Sequence, residues 1–303
     1  MSAGNYILCE QLFNDWKDDV LHGEPPRFFD VGMGANGFRL CPGTVTLLGG
    51  SPGMGKTAFV MQCVVTALVN APSLSACIAN VEMPPERLLE RQLSRLSDLP
   101  LDGIQRRTLD AVQKGQLEPA LGLLSGVADR LVFVQSPMTI DNVAAAADSI
   151  SAELIVLDYI QRIRPVGSHD DKRGSVDATM DSIRHFAAAG YCVVAVAAVG
   201  RTKDARGRSS YAGDGLSLAS FRESSELEYG ADDAYLIVPT EDDESGALEI
   251  GVTLRHLKSR YGKPTDIELA FNRSRQSFWP QPVDSFVASG PRRGPVRGLW
   301  RDS

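Results

Sequence analysis

The sequence predicts an α/β fold with a mostly parallel central sheet flanked by helices and a β-hairpin near the C-terminus. Short apolar runs alternate with helical stretches along most of the chain. Those runs are continuous rather than alternating in polarity, the pattern of strands buried on both faces of a parallel sheet. A glycine-rich loop separates the first such run from a helix that is apolar nearly all round.

The elements follow in order. Leu8, Leu12, Trp16 and Val20 recur every fourth residue with Phe13 beside them, while Glu10, Asp15 and Asp18 face away. This predicts an amphipathic helix from Tyr6 to Leu21. Its stripe has two readings, a fold back onto its own domain or docking on a neighbouring subunit. After Pro25-Pro26 a turn-rich segment leads to Pro42-Gly43. Val45 to Leu48 reads as a strand, Thr57 to Leu68 as a helix, Ala76 to Val81 as a second strand and Pro85 to Leu96 as a helix. Leu131 to Val134, Leu154 to Leu157 and Val193 to Ala198 are further strands. Leu248 to Leu257 and Ile267 to Phe271 flank Tyr261-Gly262-Lys263-Pro264, an antiparallel hairpin. From Ser285 onward Gly, Pro, Arg and Ser dominate, which predicts a disordered basic tail. The expected organisation is a leading helix over 1–25, one α/β domain over 26–284 and the tail over 285–303.

Composition narrows the class. The 303 residues carry a net charge of −7, so a surface built throughout to coat nucleic acid is excluded, and any nucleic-acid contact must come from particular loops. Five cysteines, Cys9, Cys41, Cys63, Cys77 and Cys192, show no CxxC pairing, which points to free thiols in a reducing compartment. Asn5, Glu10 and Asp15 interrupt the N-terminus, so no signal peptide is expected, and no apolar run reaches the roughly 18 residues of a membrane span. The expectation is a cytoplasmic protein without membrane contact.

Gly50-Ser51-Pro52-Gly53-Met54-Gly55-Lys56-Thr57 matches G-x-x-x-x-G-K-[ST] in full, and Ala58 continues the loop into its helix. Glycines let backbone N–H groups turn inward around phosphates, and the helix N-terminus adds positive potential. Lys56 supplies a point charge to the β- and γ-phosphates of ATP, and the Thr57 hydroxyl is a Mg²⁺ ligand. Asp158, ending the run Leu154-Ile155-Val156-Leu157, is the carboxylate expected in the magnesium shell. Tyr159 follows it, so the base that activates water must lie elsewhere. Glu82, just past the Ala76–Val81 strand, can face the γ-phosphate from the sheet's carboxyl edge.

Several segments resemble the DnaB-type replicative helicases, whose motor is a RecA-like P-loop ATPase domain. Val81-Glu82-Met83 resembles the S-L-E-M segment, and Leu157-Asp158-Tyr159-Ile160-Gln161 the I-D-Y-L-Q strand. Arg222-Glu223-Ser224 with Glu228, Ala231 and Asp232 matches R-E-S-x-x-x-E-x-x-A-D. Lys258-Ser259-Arg260 resembles the K-x-R hairpin. Thr44 to Lys56 and Lys258 to Gly262 are also similar to the RadA/Sms branch-migration motors. The likeness runs from about Leu8 to Trp279 in the family's order. It implies Glu82 as catalytic base, Gln161 near the nucleotide, and Lys258 and Arg260 reaching a neighbour's γ-phosphate across a subunit boundary. It further implies a homo-oligomeric ring, a hexamer, with a replication or recombination protein as partner.

Three departures are visible. No counterpart of the family's amino-terminal domain is expected, and the Leu8–Leu21 helix is placed where the family has its linker helix. Ala198, in Ala197-Ala198-Val199-Gly200-Arg201, occupies the place of a phosphate-sensing Gln in the family's S-Q-L-N-R. The acidic run Glu241-Asp242-Asp243-Glu244 reads as a solvated turn. The loop after Ala198 holds Arg201, Lys203, Arg206 and Arg208 with Tyr211 beyond, flexible cations suited to single-stranded DNA. The loop after Asp158 is weaker, since Asp170 and Asp171 offset Lys172 and Arg173. Two functions follow: a single-strand translocating helicase, or an ATPase switch that gates a protein partner without unwinding DNA.

Overall fold

A computed structural model describes residues 7–33, 38–167, 172–200, 202–203, 209–210, 217–221, 226–240 and 247–281. It contains α1 (Cys9–His22), β1 (Val45–Gly50), α2 (Lys56–Asn70), β2 (Ala76–Asn80), α3 (Pro85–Ser97), α4 (Leu101–Arg106) and α5 (Ala111–Ser125). Then follow β3 (Leu131–Phe133), α6 (Ile140–Ser149), β4 (Leu154–Asp158), α7 (Lys172–Ala188) and β5 (Cys192–Val196). The chain continues with β6 (Thr202–Lys203), β7 (Ser209–Ser210), α8 (Glu226–Gly230), β8 (Asp233–Pro239), β9 (Glu249–Ser259), β10 (Ile267–Asn272) and β11 (Ser277–Pro280).

One nine-stranded sheet carries the fold, in the order β11-β10-β9-β8-β1-β5-β4-β2-β3. Within it β8, β1, β5, β4, β2 and β3 pair in parallel, and β9, β10 and β11 add antiparallel neighbours at the β8 side. The expected parallel sheet and C-terminal hairpin are therefore both present, the hairpin being β9 with β10.

Each central strand buries both faces, because helices cover the sheet on either side. Leu48, Ile78, Val156 and Val194 point to one layer, where α2 lies with Phe59, Val60, Val64 and Leu68. Leu47, Cys77, Ile155 and Val193 point to the other, against Val143 of α6 and Val176, Met180 and Ile183 of α7. This alternation is the period of two of a pleated strand, hidden in the sequence because both faces are apolar. The turn-rich segment after Pro26 joins the first layer: Phe29, Val31, Met33, Phe38 and Leu40 are all buried there.

α1 stands apart. None of its residues is buried, and Leu12, Phe13, Trp16 and Val20 are each about half exposed or more. Of its two readings, the fold back onto the domain is not what the structure contains. No described helix is long and apolar enough to cross a membrane.

Candidate functional site

The parallel strands bring four chain segments to one edge of the sheet. Leu48 of β1 stands opposite Val196 of β5, Asp158 of β4 opposite the same Val196, and Asn80 of β2 opposite Asp158. Ligands of open α/β sheets bind outside these carboxyl ends.

Between β1 and α2 the loop turns through backbone conformations that demand glycine. Gly55, the residue before α2, has φ +75°, and a Cβ there would lie 2.6 Å from the Phe271 ring. Gly50 is equally confined, since its Cβ would meet the Ile237 carbonyl at 2.8 Å. Lys56 is buried and donates from Nζ to the carbonyls of Gly50 (2.8 Å) and Ser51 (3.1 Å), folding back over the loop. Burial lowers the pKa of this amine, while the charges of Asp158 and Glu82 act the other way. Pro52 and Gly53 form the exposed crest, and Met54 and Ala58 are buried beneath it.

Asp158 is the focus of the edge. Its Oδ2 accepts from Thr57 Oγ1 at 2.7 Å and from Asn80 Nδ2 at 2.8 Å. Its Oδ1 is buried with no hydrogen-bond partner among the described residues. Burial raises this carboxyl to about 6, reinforced by Glu82 and opposed by Thr57, Lys56 and Asn80. A hydroxyl, a carboxylate with a free buried oxygen and a lysine on the phosphate loop form the donor set for a Mg²⁺–nucleotide. A bound metal would supply positive charge to offset that of the phosphates; Thr57 and Asp158 would hold it and Lys56 the phosphates.

Glu82 is exposed beyond β2. The adjacent Asn80 shapes its backbone, Oδ1 accepting from the N–H of Glu82 (3.0 Å) and of Met83 (2.8 Å). The Tyr159 ring lies 5.6 Å from Lys56 Nζ, and its hydroxyl is turned to Glu82. Burial pushes that phenol up, followed by the charges of Glu82 and Asp158. Arg91 of α3 belongs to the same region: burial lowers its pKa, and Asp158 and Glu82 act against that. Its Nη1 donates to Gln276 at 2.8 Å in the β10–β11 turn, while its buried Nε has no partner among the described residues. Sequence reasoning singled out neither Asn80 nor Arg91. Gln161 brackets the residue after β5, its Oε1 accepting from Ala198 N–H (3.2 Å) and its Nε2 donating to Ala198 O (3.4 Å).

Lys258 and Arg260 lie elsewhere. Ser259 pairs with Asp233 and Asp233 stands beside Thr46, so the end of β9 meets the start of β1. From there Gly50 is four residues along the strand, roughly 13 Å at about 3.3 Å per residue. Both cations are engaged within their own chain. Lys258 Nζ caps α8, donating to the carbonyls of Glu228 (2.7 Å), Tyr229 (3.2 Å) and Ala231 (2.7 Å). Arg260 Nη1 is 2.8 Å from Asp232 Oδ1, a charge contact without hydrogen-bond alignment, and Nη2 donates to Tyr229 O at 3.2 Å. Carbonyls at a helix C-terminus attract any nearby cation, which a hairpin pattern alone does not reveal. Neither side chain serves its own subunit's phosphate loop.

Of the cationic loop, Arg201, Arg206 and Arg208 lie outside the described residues, as do Tyr211, Asp170, Asp171, the Arg222–Ser224 part of the matched motif, the 241–244 acidic run and the 285–303 tail. Lys203 contributes backbone to β6, which pairs with β7 as a small antiparallel ladder.

Strand, phosphate loop and helix in this order define a protein of the P-loop α/β class. Comparison with known proteins narrows it: residues 27–279 match the DnaB-like helicase C-terminal domain, and the chain belongs to that family. It is 24% identical over 251 residues to the replicative DNA helicase DnaB of Haemophilus influenzae, covering 79% of this chain and 52% of the relative. Against the Mycoplasma genitalium protein of the same name it is 22% identical over 281 residues, covering 88% and 58%. The chain thus spans little more than half the length of these curated relatives. Among solved structures, one isolated ATPase domain superposes with a TM-score of 0.73 at 16% identity, over 92% of this chain and all of that one. A DnaB-like replicative helicase studied for its interactions with primase gives 0.74 at 18% identity, over 92% of this chain and 68% of that one. The fold is therefore RecA-like.

Proposed function

We propose that this chain is the ATP-hydrolysing motor of a DnaB-like helicase, a ring that translocates on single-stranded DNA. The observation that carries it is the buried Asp158 carboxylate, bound through Oδ2 to Thr57 and open at Oδ1, within a chain whose family is that of helicase motors. In this reading Gly50, Ser51, Pro52, Gly53, Met54, Gly55, Lys56, Thr57 and Ala58 cradle ATP, Thr57 and Asp158 hold Mg²⁺, and Glu82 activates water. Lys258 and Arg260, too far from their own phosphate loop, act on the neighbour's. Since both are tied to α8 and Asp232 within the subunit, ring closure must exchange some of those contacts for phosphate. Gln161, tied to the backbone of Ala198, couples the nucleotide edge to the loop of Arg201, Lys203, Arg206 and Arg208, which tracks DNA. α1, with its bare apolar stripe, docks on the adjacent subunit of a hexamer. The domain runs over 26–284, the tail over 285–303, and the protein works in the cytoplasm with a replication or recombination partner.

The family match favours this motor over the ATPase switch. The test measures ATP hydrolysis with and without single-stranded DNA, binding of that strand across a salt series, and unwinding of a forked duplex. Mg²⁺-dependent hydrolysis and salt-sensitive binding are expected, because each neutralised phosphate releases counterion. Absence of single-strand binding at low salt overturns the motor reading and leaves the switch.

A further inference from the structure

Asn80 ends β2 directly opposite Asp158 and is buried. Both ends of its side-chain amide are engaged: Nδ2 donates one N–H to Asp158 Oδ2, and Oδ1 accepts from the N–H of both Glu82 and Met83. The neighbouring backbone runs the same way, with Val81 N–H donating to Asp158 O at 2.8 Å. The S-L-E-M segment that Val81-Glu82-Met83 resembles carries serine at the place of Asn80. A serine hydroxyl gives one donor on a shorter arm, whereas an asparagine amide has a separate donor and acceptor end and can hold both neighbours at once.

We propose that Asn80 is a positioning residue for ATP hydrolysis, locking the loop of the base Glu82 to the metal-binding carboxylate Asp158 through one rigid amide. This rests on the reading of Glu82 and Asp158 given above. The physical content is twofold. By occupying Oδ2 together with Thr57, Asn80 fixes the orientation of the Asp158 carboxylate and leaves Oδ1 without a hydrogen-bond partner among the described residues. By gathering two consecutive N–H groups, it fixes the turn from which the Glu82 side chain springs. Base and metal ligand therefore keep one spacing, which general-base chemistry on a metal-bound nucleotide requires.

The experiment compares wild type with Asn80→Ala, Asn80→Leu, which keeps the side-chain volume, and Asn80→Ser. Three readouts are taken: amide hydrogen exchange at residues 82 and 83 in nucleotide-free protein, the Mg²⁺ concentration needed for binding of a fluorescent ADP, and kcat and KM for ATP. In the alanine and leucine variants both amides should lose protection, the Mg²⁺ requirement should rise, and kcat should fall by about 10- to 100-fold, the cost of an outer-shell partner of a metal ligand. KM and metal-free ADP binding should stay at the wild-type level, because neither the phosphate loop nor Lys56 is touched. Asn80→Ser should recover part of kcat. Unchanged amide protection, or unchanged Mg²⁺ requirement and kcat, in whichever of the alanine and leucine variants folds overturns the proposal. A wild type that hydrolyses no ATP overturns the functional reading instead, and amide exchange still decides whether Asn80 holds the loop.

Discussion

Two buried aspartates, one at each edge of the same sheet, are treated in opposite ways. Asp232, before β8, is fully buried and meets Arg184 Nη1 at 2.7 Å, Arg260 Nη1 at 2.8 Å and the Val45 N–H at 2.8 Å. Asp158, at the end of β4, is buried to nearly the same degree, yet its hydrogen bonds come from a neutral hydroxyl and a neutral amide. The nearby Lys56 ammonium is turned to backbone carbonyls. A buried charge is costly unless paired. At the far edge the chain supplies two guanidinium groups, and the aspartate fastens strand β1 to the end of β9. At the near edge no ion pair to the carboxylate forms among the described residues, Arg91 being turned to Gln276, and the carboxyl is pushed up to about 6, chiefly by burial. Equal burial thus separates a carboxylate that holds the fold from one suited to a cation from outside.

The comparison can be broken in four ways. The largest effect is expected for Arg260→Ala, which should lower ATP turnover by about 10³- to 10⁵-fold, the range for an arginine acting across an interface, while nucleotide binding persists. Mixing it with Lys56→Ala protein should restore part of the turnover, each supplying what the other lacks. Full ATPase activity of a strictly monomeric protein would show that the far edge has no part in catalysis. Next, Glu82→Gln should bind ATP normally and turn it over about 10²- to 10⁴-fold more slowly. Wild-type turnover in that variant moves the base elsewhere.

The third test sets the aspartates side by side in thermal or urea unfolding without nucleotide or Mg²⁺. Asp232→Ala leaves Arg184 and the Val45 N–H without their acceptor and Arg260 without its counter-charge, and should cost about 3 kcal/mol, the low end for a broken buried pair because both arginines keep access to water. Asp158→Asn removes a charge with no cationic partner and keeps an acceptor for Thr57, so the unfolding midpoint should hold or rise. A large loss at Asp158 would erase the distinction. The smallest effect is expected at Ala198, where Gln161 already grips the backbone. Ala198→Gln should raise single-strand stimulation of ATPase severalfold, and no change in that ratio would assign the coupling to Gln161.

Much of the nucleotide edge was legible because its chemistry is written contiguously. The Gly50–Thr57 loop, and Asp158 at the end of four apolar residues, need only the chain neighbours to be recognised. β8 was harder, since Asp233–Pro239 follows directly on a motif segment. β11 is four residues long and follows a tight turn. Asn80 was illegible for a different reason. A short polar residue at a strand end is common, and only the β2–β4 register, which no local pattern encodes, places it against Asp158. The contacts of Lys258 and Arg260 were illegible too, because capping of α8 joins residues about thirty positions apart.

The last two strands bear on how small a working piece of this protein can be. Gln62 of α2 exchanges two hydrogen bonds with the backbone of Phe278, at 2.7 and 2.9 Å. Phe278 stacks on Phe271 with ring centres 4.2 Å apart, and both rings crowd the Cα of Gly55. The phosphate loop therefore rests on residues more than two hundred positions downstream. A fragment cut at the β9–β10 turn would retain every motif residue from Gly50 to Arg260 and lose the shelf under Gly55, so its affinity for nucleotide should fall although no ligand-binding side chain has been removed.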